Sequence, residues 1–108
     1  ALEHPFSRAY ALFTGTALLQ FRREPAEALR WAEATVALSA QHGFRYFHGL
    51  GTVFRGWALA EGGHADEGRA LMERGIADAR ATGARIGLPH MLALLAELRG
   101  TRGDPAAG

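Results

Sequence analysis

Five histidines, His4, His42, His48, His64 and His90, are the side chains of this chain best suited to holding a metal or moving a proton. A helical metal site needs two ligands three or four residues apart and a third close by. No two of the five stand at that spacing, so no metal centre is expected. His64 falls in a turn, and His42 stands beside Gly43, where an imidazolium would meet the negative end of a helix dipole. Ser7 and Ser39 have no G-x-S-x-G setting and no neighbouring base. Without lysine there is no phosphate loop ending in Gly-Lys, and without cysteine there is no thiolate nucleophile or disulfide. The chain is therefore expected not to be an enzyme and to need no cofactor.

Charge narrows the partners. The net charge is +1 and the arginines are scattered from Arg8 to Arg102, mostly near acidic residues. Nucleic-acid binders concentrate positive charge on one face, so that class is not expected. The apolar runs are broken well before the roughly 20 residues of a membrane span. The lack of cysteine fits a cytoplasmic protein. With 108 residues there is room for one domain, and the opening Ala1-Leu2-Glu3 reads as the edge of an excised piece.

What could position side chains in so small a chain is a repeat. "PAEA" (25–28), "ADEG" (65–68) and "PAAG" (105–108) fall into register at a shift of 40. The same shift sets Gly43 over Gly83, each after a helical run, where glycine supplies a left-handed C-terminal cap without steric cost. Apolar spacing between these marks is helical throughout. Five helices are predicted: Pro5 to Arg22, Pro25 to Gln41, Phe44 to Glu61, Ala65 to Thr82, and Leu88 to Arg99. A sixth would start at Asp104-Pro105, with aspartate as N-cap and proline in the first turn. The repeats then cover about 5–43, 44–83 and an incomplete 84–108.

A helix pair recurring at this length resembles the tetratricopeptide repeat family. The second repeat offers Thr52, Arg55-Gly56, Leu59, Gly68 and Met72 in the family's pattern, with Arg80 where proline is usual. Small Gly56 and Gly68 are expected to let two helices approach closely, and Gly75 to do so for the neighbouring repeat. A period of 40 against the family's 34 lengthens each helix by about a turn. More narrowly, "HPFSRAYALF", "FRGWALAEGG" and "ATGARIGLPHMLALLAE" are similar to the repeat region of large bacterial signalling ATPases and cyclases, or of regulators with a helix-turn-helix output domain. The resemblance implies an all-α fold: a right-handed α-solenoid of antiparallel hairpins, about 2.5 repeats and five helices long. It also implies a regulatory or scaffolding arm that binds a protein, a peptide or adjacent domains of its own chain.

In that register the first helices of each hairpin line a concave groove. Phe6, Tyr10, Phe13 and Ala17 come from the first helix, and Tyr46, Leu50, Val53 and Trp57 from the third. Ile86, His90, Ala93 and Glu97 come from the fifth. Such aromatics either fill the core, each worth about 1.5–3 kcal/mol, or contact a ligand; for the groove as a whole, partner binding is the expectation. A purely structural spacer is the alternative, and a small-molecule sensor a third reading. Arg55 occupies a position that usually buries leucine, so it needs a carboxylate, Glu97 or Glu61, unless it anchors an acidic peptide or phosphate. The fifth helix, "LPHMLALLAEL", is apolar nearly all round and is expected to expose a surface for self-association.

Overall fold

The computed structural model describes residues 5–83 and 88–101, and the side chains at 7–83 and 89–97. Five helices account for nearly all of it: α1 (Pro5–Phe21), α2 (Pro25–His42), α3 (Arg45–Glu61), α4 (Ala65–Ala81) and α5 (Leu88–Thr101). No strand occurs among the described residues. The predicted boundaries hold to within one or two residues, and Phe44 and Thr82 prove to be caps rather than helical residues. The stretch 84–87 and the expected sixth helix lie outside the described residues.

The shift of 40 runs through the backbone as well as the sequence. α3 begins 40 residues after α1, and α4 begins 40 after α2. Gly43 (φ 71°) and Gly83 (φ 82°) both take the left-handed conformation that ends their helices. The other helix ends match too. After α1, Arg23 N–H donates to Gln20 O and Glu24 N–H to Leu19 O; after α3, Gly63 N–H donates to Ala60 O and His64 N–H to Leu59 O. That turn needs a left-handed residue, Gly63 (φ 99°) in the second hairpin and Arg23 (φ 55°) in the first. An arginine there is strained where glycine is not.

Packing follows the same register. α2 buries Ala28, Ala32, Thr35 and Ser39. Their equivalents on α4, namely Gly68, Met72, Gly75 and Ala79, are buried as well. Each helix packs on the next, α1 also reaches α3, and α3 also reaches α5. α3 thus touches all four other helices. Between Phe47 and Ala58 only His48 and Arg55 escape burial.

Glycine makes the α3–α4 contact possible. Gly56 faces Gly68 and Gly49 faces Gly75, backbone to backbone, the second pair two turns further from the turn at Gly62. The Gly56–Gly68 approach is as expected. Gly75, however, meets Gly49 within its own hairpin rather than a neighbouring repeat. In the first hairpin the equivalent positions are Ala9, Thr16, Ala28 and Thr35, each fully buried. Both threonine hydroxyls bond within their own helices, Thr16 to Leu12 O at 2.6 Å and Thr35 to Trp31 O at 2.9 Å. Their burial therefore leaves no donor unpaired.

Candidate functional site

The face where α1, α3 and α5 meet is closed by aromatic rings. Phe13 on α1 lies 5.8 Å from Phe47 and 5.9 Å from Phe54, both on α3. Tyr10 packs edge-on to Phe47 at 6.3 Å. Phe54 reaches His90 of α5 at 6.3 Å, and His90 stacks on Phe21 at 4.9 Å. Nε2 of His90 also lies 3.0 Å from Oε1 of Gln20, whose side chain is buried. Pairs at these separations favour tilted and edge-on geometry and add to simple burial.

Of the residues expected to line a groove, Tyr10, Phe13, Tyr46 and His90 belong to this ladder or lean on it. Leu50, Val53 and Trp57 are core residues at 1%, 0% and 2% exposure, so they offer a partner no free surface. α3 has neighbours on every side, and whatever faces inward there is sealed by its own chain. Phe6 and Ile86 lie outside the described side chains. Phe47 and Phe54 were not anticipated. Their seven-residue spacing, with Leu50 and Trp57 three residues further on, is the helical signal that would have found them.

Tyr46 is half-buried, and its hydroxyl is sealed from water without a hydrogen-bond partner. Burial raises its pKa above that of an ordinary phenol. Arg55 pairs with neither Glu97 nor Glu61. Its Nε lies 3.8 Å from Oε2 of Glu33 on α2, because position 55 of α3 is turned toward that helix. The Nε itself has no hydrogen bond, while the rest of the guanidinium is partly exposed.

Glu97 is held instead by Arg23, whose Nη2 lies 3.2 Å from Oε2 and 3.3 Å from Oε1. This pair ties the α1–α2 turn to α5 and stands over a cleft of about 220 Å³. The cleft is lined by Arg23, Trp57, Ala60, Glu61, Met72, Leu94 and Glu97. Trp57 and Glu97, placed together by the sequence, do meet here, although the indole N–H of Trp57 is buried and unpartnered. Among the described residues no cluster of histidine and carboxylate side chains could hold a metal. None of the described helices is long and apolar enough to cross a membrane.

Among the described residues, the exposed apolar surface lies mainly on α1 rather than α5. Met91, Leu94 and Leu95 are buried because α5 packs on both α3 and α4, which leaves Leu92 as the large apolar side chain that α5 exposes among its described residues. On α1, Tyr10, Leu18 and Phe21 are 57%, 56% and 68% exposed. Those three share one face of the helix. Compared with known proteins, the chain matches no family model, no curated protein and no solved structure.

Proposed function

We propose that this chain is a non-catalytic protein-interaction module whose outer α1 face receives a helix from a partner protein. One observation carries this. Tyr10, Ala11, Thr14 and Leu18 of α1 are all exposed, whereas their equivalents 40 residues on, Leu50, Gly51, Phe54 and Ala58, are all buried. On α3 those positions meet the first hairpin: Gly51 abuts Thr35 and Val36 of α2, and Phe54 abuts Phe13 of α1. Among the described residues, α1 presents the same face with no helix packed across it. Even Thr14 turns its hydroxyl back to Tyr10 O at 2.8 Å. Apolar stripes of this kind mark sites of helix docking.

The charge on α1 selects the partner. Arg8 is its one charged residue, and it forms no ion pair among the described residues. A helix with acidic flanks complements it, and a second copy of α1 would not. Within this reading the hairpins form a right-handed tetratricopeptide-like solenoid, the cytoplasmic regulatory arm of a bacterial signalling ATPase or cyclase. The resemblance of "FRGWALAEGG" and its companions supports that placement. A structural spacer is the competing function, favoured by the aromatic ladder that fills the space between first helices.

A fluorescently labelled 18-residue amphipathic helix, with phenylalanine and leucine along one face and glutamate flanks, tests the proposal by anisotropy. Binding at least about tenfold weaker to Leu18→Glu than to the parent is expected, since loss of a central contact has effects of that size. A lysine-flanked twin should bind more weakly than the glutamate form. Equal binding of both twins, or no effect of Leu18→Glu, would leave the spacer standing.

A further inference from the structure

Each complete hairpin covers one face of its first helix with its second helix, and α5 shows that same face open. On α3 the face comprises Gly49, Thr52, Val53 and Gly56, all buried. Gly49 and Gly56 meet Gly75 and Gly68 of α4 backbone to backbone, and Val53 meets Gly75. On α1 the positions of the two glycines hold Ala9 and Thr16, fully buried, with Thr16 Oγ1 3.4 Å from Thr35 Oγ1 of α2. Forty residues beyond α3 stand Pro89, Leu92, Ala93 and Ala96, and all four are exposed. The opposite side of α5, with Met91, Leu94 and Leu95, is buried where the helix packs on α3 and α4, so α5 cannot turn to hide them.

Size and charge set what this face fits. Apart from Leu92 its side chains are short, and none of the four carries a charge; Glu97 at the edge is already held by Arg23. Such a surface lets another helix come close if that helix also carries small residues. The second helices of this chain carry them seven apart, Ala28 and Thr35 on α2, Gly68 and Gly75 on α4. The first hairpin closes with Thr16 on the receiving helix, so Ala96 in the place of Gly56 does not bar the approach. The sequence resumes the same register after α5. Three residues separate Thr101 from Pro105, as three separate α1 from α2 and α3 from α4, and Gly108 stands over Gly68.

We infer that the outer face of α5 receives, antiparallel to it, a helix with the small-residue pattern of α4. Ala96 lies against the position that Gly68 takes on α4, and Pro89 against that of Gly75. This surface is separate from the outer face of α1 and does not rest on the reading given to it.

The probe is a fluorescently labelled, capped peptide of residues 64–82, titrated with the chain and followed by anisotropy. It should bind saturably. A twin carrying Gly68→Leu and Gly75→Leu is the better helix former, yet it should bind at least about tenfold more weakly, the size of effect expected at a central contact. Ala93→Glu in the chain, checked for unchanged helicity by circular dichroism, should weaken the parent peptide by the same margin, while Ala93→Ser should keep most of the affinity. Leu18→Glu should leave the titration unaltered, so failure at α1 and failure here are separable. No saturable binding, equal binding of the leucine twin, full affinity in Ala93→Glu (the result if the peptide displaces α4), or loss in Leu18→Glu would each overturn the assignment. So would a dimer of the chain alone, seen by sedimentation and dissolved by Ala93→Glu, which would make a second copy the occupant.

Discussion

Gly49 on α3 and Gly75 on α4 press their backbones together: a β-carbon on Gly75 would stand 2.5 Å from the Gly49 carbonyl oxygen and 2.9 Å from Val53 N. Neither obstacle can swing aside, because both are main-chain atoms of the helix at the centre of the molecule. Alanine normally favours a helix over glycine by about 1 kcal/mol. Here the clash should win. Gly75→Ala and Gly68→Ala are each expected to lose about 1–3 kcal/mol in denaturant unfolding.

Gly15→Ala is the control. Its added methyl meets the ring of Trp31, with Cε3 at 2.7 Å. Trp31 is 38% exposed and can move. Stability should change by less than about 0.5 kcal/mol, the range of substitutions without a structural penalty.

Arg23 provides a second internal comparison. Arg23→Gly and Arg23→Ala both remove the contact with Glu97, but only alanine keeps a side chain at positive φ. Glycine should be the more stable of the two by about 1 kcal/mol, the left-handed penalty for a residue with a β-carbon. Urea midpoints of the two variants, measured side by side, read this difference directly.

Ser39 stands where the second hairpin has Ala79, and its hydroxyl is buried without a partner. Ser39→Ala removes an unsatisfied polar group and matches the repeat. Thermal unfolding should show equal or higher stability, by up to about 1 kcal/mol.

Tyr46 makes stability depend on alkaline pH. Its folded pKa is raised by burial, so the native state holds its proton after the unfolded chain has released it. The contribution is complete below the unfolded value of about 10 and is lost as pH climbs from there through the folded value. Unfolding followed from pH 8 to 11 should decline less steeply in Tyr46→Phe than in the parent.

The period of 40, the five helices and the glycine caps were legible because turns and helix ends need particular backbone conformations, and few residues supply them. The groove was not. On α3 apolar and small residues occur on every side, so the spacing that groups Leu50, Phe54 and Trp57 could not say whether they, or Val53, faced outward. All four face inward. The partner of Arg55 was equally hidden, because Glu33 lies on α2 and is brought near only by helix packing. Arg23 could have been found: the same register that aligns Gly43 with Gly83 sets it over Gly63.

The most direct measurement compares Leu18→Glu with Ala58→Glu, one repeat apart, by denaturant unfolding and by binding of the acidic amphipathic helix. Leu18 is 56% exposed and Ala58 4%. Leu18→Glu should stay within about 0.5 kcal/mol of the parent while losing the helix. Ala58→Glu buries a lone carboxylate and should lose at least about 3 kcal/mol or fail to fold. If Leu18→Glu unfolds the chain as Ala58→Glu does, or keeps full affinity for the helix, the outer face of α1 is not a docking surface.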